Sequence, residues 1–186
     1  MTASTLTSTP GLSGSQTIGP FFRYGLQWEG GENAFPKDAP GEHIDITGRL
    51  IDGTGAAIND AMIEFWQADA AGKFGGPVKG SASGWARCYT SGDGRYNLHT
   101  VKPGVVAGAD GKPQAPHILV CLFSRGMLKQ VYSRIYFADS DANAPDAVLK
   151  AAGGRASTLI ARAAGKGKYE WDIVLQGERE TVFLDF

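Results

Sequence analysis

Three histidines, His43, His99 and His117, and two cysteines, Cys88 and Cys121, are the side chains of this sequence best suited to holding a transition metal. Only His117 stands on a strongly apolar run, APHILVCLF. Side chains on a strand alternate between its faces, so a second ligand would sit two residues further on. That position is Leu119. His99 shares a face with Asn97 rather than with Tyr96 and Leu98, which directs it toward solvent. His43 opens a strand beside Glu42. The cysteines fall in separate strands, ARCYT and ILVCLF, and read as buried reduced thiols. No His or Cys pair has zinc-like spacing. Serines and aspartates are numerous, yet no spacing singles out a nucleophile with its base. Glu64 and Asp69 flank a tryptophan, an arrangement common on sheet surfaces. There is neither a phosphate-cradling glycine loop nor a Gly-x-Ser-x-Gly turn. Residue types alone name no reaction, and a lone histidine is equally at home in a core.

The elements that would carry these residues are mostly strands. HIDITGRLI alternates apolar and polar positions with period two, and Asp52-Gly53 marks a turn. AMIEFWQAD and GWARCYT follow, then a hairpin-type turn at Ser91–Gly94. RYNLHTV, APHILVCLF, QVYSRIYFA, YEWDIVLQG and ETVFLDF complete about eight strands. NAPDAVLKAAGGRASTLIARAAG is alanine-rich, with Asn143 and Ser157 as candidate helix caps and Gly165 as a stop, so one or two short helices are expected near 143–165. Many short strands with one helical insertion predict a mainly β fold, a two-sheet β-sandwich or barrel.

Residues 1–42 are rich in Gly, Ser, Thr and Pro but place Phe21, Phe22, Tyr24, Leu26, Trp28 and Phe35. A solvated tail has no use for so many aromatics, so this segment is expected to be an extended N-terminal arm lying on its own domain or on a partner. Residues 43–186 are expected to form the core domain. A net charge of −1 argues against non-specific binding to nucleic acid or anionic membrane. The first twenty residues have no basic start followed by an apolar run, and no apolar stretch approaches the ~18 residues needed to cross a bilayer. A cytoplasmic protein is the simplest expectation.

Four stretches together resemble the intradiol ring-cleavage dioxygenases: GEHIDITGRLIDGTGAAINDAMIEFWQADAAGKF, YNLHTVKPGVV, APHILVCLFSRG and LQGERETVFLDF. The resemblance runs from about Ser15 to Phe186 and is carried most specifically by E-x-W-Q-A-D-A-x-G and the later T-V-K-P-G. The arm SQTIGPFFRYGL and the ending LQGERETVFLDF resemble the alpha type of chain in that family. Active members hold a non-haem ferric ion with two tyrosines and two histidines, the histidines as His-x-His on one strand. At the matching positions this sequence has Phe74, Val106 and Leu119, and only His117 remains. Three hydrocarbon side chains donate nothing to a metal, and one imidazole does not hold Fe(III) against hydrolysis. The resemblance thus implies that this chain binds no metal, that its former metal pocket is filled by apolar side chains, and that His117 is a hydrogen-bonded core or near-core residue.

It further implies a homologous beta subunit that keeps the Fe(III), in a higher-order alpha-beta oligomer. The alpha type of chain would help wall its partner's substrate pocket with the arm residues Thr17, Gly19 and Pro20. Arg125, in LFSRG, would meet the carboxylate of the anionic substrate 3,4-dihydroxybenzoate. The reaction implied is O2-dependent cleavage to 3-carboxy-cis,cis-muconate, a step of aromatic catabolism in the beta-ketoadipate pathway. This chain alone would be inactive. The competing expectation is a stand-alone transthyretin-like β-sandwich binding module without activity. A self-sufficient dioxygenase is disfavoured by Phe74, Val106 and Leu119.

Overall fold

The computed structural model describes residues 13–19, 21–75, 84–108 and 110–185. The protein is mainly β. Its strands are β1 (His43–Ile51), β2 (Met62–Gln67), β3 (Trp85–Tyr89), β4 (Arg95–Val101), β5 (Val106–Ala107), β6 (Pro113–Gln114), β7 (His117–Phe123), β8 (Val131–Phe137), β9 (Ile160–Gly165), β10 (Lys168–Glu170) and β11 (Ile173–Val174). Among the described residues, two short α-helices, α1 (Phe21–Leu26) and α2 (Ala147–Ala152), accompany them. Among the described residues, no helix is long and apolar enough to cross a membrane.

Period-two patterning translates directly into packing. In β1, Ile44, Ile46, Gly48 and Leu50 are buried while the intervening residues are not. Gly48 is a glycine because a Cβ there would stand 1.8 Å from the Trp171 carbonyl oxygen. β1 pairs antiparallel with β4 and parallel with β10 and β11. On the other side, β3, β2, β7 and β8 form an antiparallel run. The expected division into two sheets is bridged by a short parallel pairing, Tyr136 with Ile160 and Phe137 with Ala161. Through β9 and β10 it joins both sets into one nine-stranded, nearly closed, barrel-like sheet. Ser91–Gly94 does form a tight turn, Gly94 donating its backbone N–H to Ser91 O. It is not a hairpin, because β3 pairs with β2 and β4 with β1; the turn carries the chain from one end of the sheet to the other.

The two sets enclose one main core. Ile44, Ile46, Leu50, Tyr96 and Leu98 from one side meet Ile63, Phe65, Ile118, Val120, Leu122 and Ile135 from the other. Burial on this scale drives the fold at about 25 cal/mol per Å2 of apolar surface. A smaller cluster of Ala115, Tyr136, Leu149 and Leu159 seats α2 against β8.

The alanine-rich insertion differs from its expected form. α2 is capped by Asp146, whose carboxylate accepts from the backbone N–H groups of Val148 and Leu149, not by Asn143. Asn143 instead donates to Phe137 O from outside the helix. Gly153–Leu159 is a 3-10 turn containing Ser157, and IARAAG, up to Gly165, is strand β9. Tertiary pairing with β8 and β10 overrides the helical propensity of its alanines.

Candidate functional site

The family signature E-x-W-Q-A-D-A-x-G holds two loops together rather than performing chemistry. Gln67 Nε2 donates to Val101 O at 2.8 Å and Thr100 Oγ1 donates to Gln67 Oε1 at 2.7 Å, tying the end of β2 to the end of β4. Asp69 Oδ1 accepts from the N–H groups of Ala71 and Lys73, each at 2.9 Å. Gly72 has φ +76°, and a Cβ there would strike Val105 O. Lys102 of the T-V-K-P-G segment donates to Asp139 Oδ2 at 2.7 Å and to the Tyr169 hydroxyl at 3.0 Å. These two loops carry Phe74 and Val106.

Register brings β7, which carries His117 and Leu119, into a defined surface. Trp85 pairs with Trp66, Trp66 with Leu119 and Leu119 with Arg134, a row across β3, β2, β7 and β8. The row lines a groove of about 450 Å3, with Glu64, Cys121 and Tyr132 beside it. Glu64 is taken up by Arg87, whose Nε lies 2.9 Å and Nη2 2.5 Å from Glu64 Oε1. The Arg87 guanidinium lies 5.0 Å from the ring centres of both Trp28 and Trp85.

The four positions matched to metal ligands are not gathered into a filled pocket. Phe74 is 48% exposed and stacks on Trp66 at 6.1 Å. Val106 is buried at the β5–β6 pairing and does not line the groove. Of the four, Leu119 alone lines the groove. His117 is buried, as expected of a core histidine, and its Nδ1–H donates to Ala115 O at 2.7 Å. Burial holds its pKa below the ordinary value; the bond to Ala115 opposes that shift and nearby Arg134 adds to it. These four residues present a single donor nitrogen and do not fit a ferric ion. Among the described residues, no three His, Cys, Asp or Glu side chains gather to hold a metal.

Behind the groove lies a polar chain. Arg134 Nη1 donates to Gln114 Oε1 and to the Tyr136 hydroxyl, which in turn donates to Asp146 Oδ1 at 3.1 Å. Burial pushes the Tyr136 phenol up to about 12, so it keeps its proton to donate. Asp146 Oδ2 accepts from Ala115 N. The thiol of Cys88 is buried and donates to Asn97 O; both cysteines are free.

A second feature joins the arm to the loop after β7. The Gly126 backbone N–H donates to Thr17 Oγ1 at 2.8 Å. Arg125 Nε donates to Asp60 Oδ2, and the Arg125 side chain is 61% exposed. Gly19, Phe22, Arg23, Asp60 and Arg125 line a depression of about 190 Å3. The Phe22 and Phe123 rings are 5.6 Å apart, and Arg23 donates to Asn59 O, fastening α1 to its own chain. Trp28 stacks on Trp85 at 5.3 Å. Phe21 and Tyr24 are 84% and 77% exposed. The structure thus brings Thr17, Gly19 and Arg125 together across more than a hundred residues of sequence; Pro20 lies outside the described residues. Sequence reasoning missed Asp60 and Arg134. Asp60 sits in a turn-like Asn-Asp pair that gives no sign of its partner. Arg134 had a signal, a charge between Tyr132 and Tyr136 on one face of QVYSRIYFA.

A family model described as dioxygenase matches residues 19–177. The chain therefore belongs to the dioxygenase family, in the intradiol ring-cleaving class whose motifs it carries. It is similar to the protocatechuate 3,4-dioxygenase alpha chain of Pseudomonas putida, at 43% identity over 192 residues, covering 92% of this chain and 95% of that one. The protocatechuate 3,4-dioxygenase beta chain of Burkholderia cepacia is 30% identical over 187 residues, 90% of this chain and 77% of that one. Among solved structures, the dioxygenase domain of a dioxygenase and carbohydrate-binding protein fusion from Streptomyces sp. SirexAA-E has the same fold, with TM-score 0.63 at 23% identity over 78% of this chain and 86% of that chain.

Proposed function

We propose that this chain is the alpha-type, non-iron-binding subunit of a protocatechuate 3,4-dioxygenase. It completes the substrate pocket of a homologous beta subunit that holds the Fe(III). The assembly, a higher-order alpha-beta oligomer in the cytoplasm, cleaves 3,4-dihydroxybenzoate with O2 to 3-carboxy-cis,cis-muconate, as a step of aromatic catabolism in the beta-ketoadipate pathway. The reading is supported by the likeness to an alpha chain and a beta chain of that enzyme. It is supported too by a donor set at Phe74, Val106, His117 and Leu119 that suits no ferric ion.

The observation that carries it is the convergence of Thr17, Gly19 and Arg125 beside the exposed rings of Phe21 and Tyr24. Residues 1–42 act as the arm and 43–186 as the core domain. The exposed rings of α1 supply apolar surface for the partner to cover, and the depression becomes one wall of the shared pocket. Asp60 occupies Arg125 Nε, while the two η nitrogens form no hydrogen bond among the described residues. They are the donors available to a substrate carboxylate, and the Asp60 contact aims them. A stand-alone binding module has no use for this arrangement.

The test is co-expression of this chain with the iron-bearing subunit and an oxygen-uptake assay on 3,4-dihydroxybenzoate. Arg125→Ala should raise KM several-fold, about 1 kcal/mol of lost binding, and leave the iron content unchanged. Unaltered kinetics would remove Arg125 from the substrate pocket.

A further inference from the structure

Arg134 is 9% exposed and forms no ion pair among the described residues. Its two hydrogen bonds, to Gln114 Oε1 at 3.2 Å and Tyr136 Oη at 3.3 Å, are long and both come from Nη1. Its Nε is buried with no partner. The buried carboxylate of Asp146 is linked to Arg134 only through the Tyr136 hydroxyl and is taken up by other donors; a buried cation with no direct ion pair and a buried donor left unmade is costly. Such a group is retained where something of opposite charge visits it. A guanidinium offers a planar fork of donors that matches a carboxylate.

The space beside it has the complementary character. Arg134 closes one end of the row formed by Trp85, Trp66 and Leu119, and Tyr132 flanks it in the same groove. The walls are indole, phenol and isobutyl surface, suited to the faces of a flat ring. The volume, about 450 Å3, is in the range of a small-molecule site. Glu64, on the other side, is already bound to Arg87, so it does not compete for Arg134. Its negative charge disfavours a second carboxylate at that end.

We propose that the groove along Trp85, Trp66, Leu119 and Arg134 is a binding site for a small aromatic monocarboxylate. The ligand's ring lies along Trp66 and Leu119, and its carboxylate meets the Arg134 guanidinium. The site is separate from the depression at Arg125 and does not depend on the partner's iron.

Calorimetric titration of the full chain with benzoate tests this, with benzamide as the uncharged isostere. Benzoate should show one saturable site, and benzamide should bind at least about tenfold more weakly. Arg134→Gln should weaken benzoate by about tenfold or more. Leu119→Trp, which keeps the guanidinium and fills the groove from its half-exposed side, should also abolish binding, so the result does not rest on one variant folding. Arg95→Ala, at an exposed arginine outside the groove, should bind benzoate as the unaltered chain does, and Arg125→Ala is titrated beside it to locate the carboxylate. Absent saturable binding, equal affinity for benzoate and benzamide, or an affinity that follows Arg125 instead of Arg134 would overturn the proposal. The last outcome would leave the reading of Arg125 as a substrate contact standing.

Discussion

Arg125 and Arg134 belong to the same β7–β8 hairpin and are solvated in opposite ways. Arg125 lies in the connecting loop, where water covers most of its side chain and Asp60 takes one donor. Arg134 stands within β8, where water is nearly excluded and its acceptors are an amide oxygen and a phenol. A charge in a loop costs little to keep and is free to turn toward a visiting anion. A charge on a buried strand face is fixed in direction, and its environment must be built around it. One arginine is thus an exposed cation at an edge, held at Nε by Asp60, the other a buried cation at the end of a groove.

The largest effect expected is on the support of the buried side. Asp146 accepts from Val148 N, Leu149 N, Ala115 N and the Tyr136 hydroxyl, so it caps α2 and anchors the chain of bonds to Arg134. Asp146→Ala should cost about 3 kcal/mol of unfolding free energy in urea denaturation. A loss under about 1 kcal/mol would mean that the chain of bonds is decorative.

The two arginines themselves should diverge. Arg134→Met removes an underpaired buried cation and should leave stability unchanged or raise it by about 1 kcal/mol. Arg125→Met removes one arm of an exposed ion pair and should change stability by less than about 0.5 kcal/mol. If Arg134→Met instead destabilised the protein clearly more than Arg125→Met, the guanidinium would be satisfied where it stands and the contrast would fail.

A smaller effect concerns pH. The buried His117 has its pKa lowered on folding, so the unfolded chain takes up its proton first as pH falls. Its contribution to stability is complete above the ordinary value of 6.5 and declines as pH falls from there toward the folded pKa. Unfolding free energy measured from pH 7.5 downward should show this slope, and His117→Asn should flatten part of it. A slope unchanged in that variant would assign the acid sensitivity to other groups.

Much of this was legible in the sequence because β patterning is local. Ile44, Ile46 and Leu50 announced the face of β1, and the spacing from His117 to Leu119 announced a shared side of β7. Thr17, Gly19 and Arg125 were read through resemblance, and no periodicity connects them. The rest depended on tertiary pairing. IARAAG looked helical because alanine favours helices, yet β8 and β10 draw it into the sheet. The groove was not legible because it depends on the register that sets Trp85, Trp66, Leu119 and Arg134 in one row across four strands. Arg134 was visible as a charge on an apolar strand, but its lack of an ion pair emerges only once every neighbour is placed.

The central proposal is that Phe74, Val106, His117 and Leu119 do not constitute an iron site and that this chain serves a dioxygenase reaction without carrying the redox centre. Metal analysis and visible absorption of the chain purified without its partner test this directly. The account predicts a colourless protein with far less than one iron per chain. A coloured protein with stoichiometric ferric ion, losing both on substitution of His117, would contradict it.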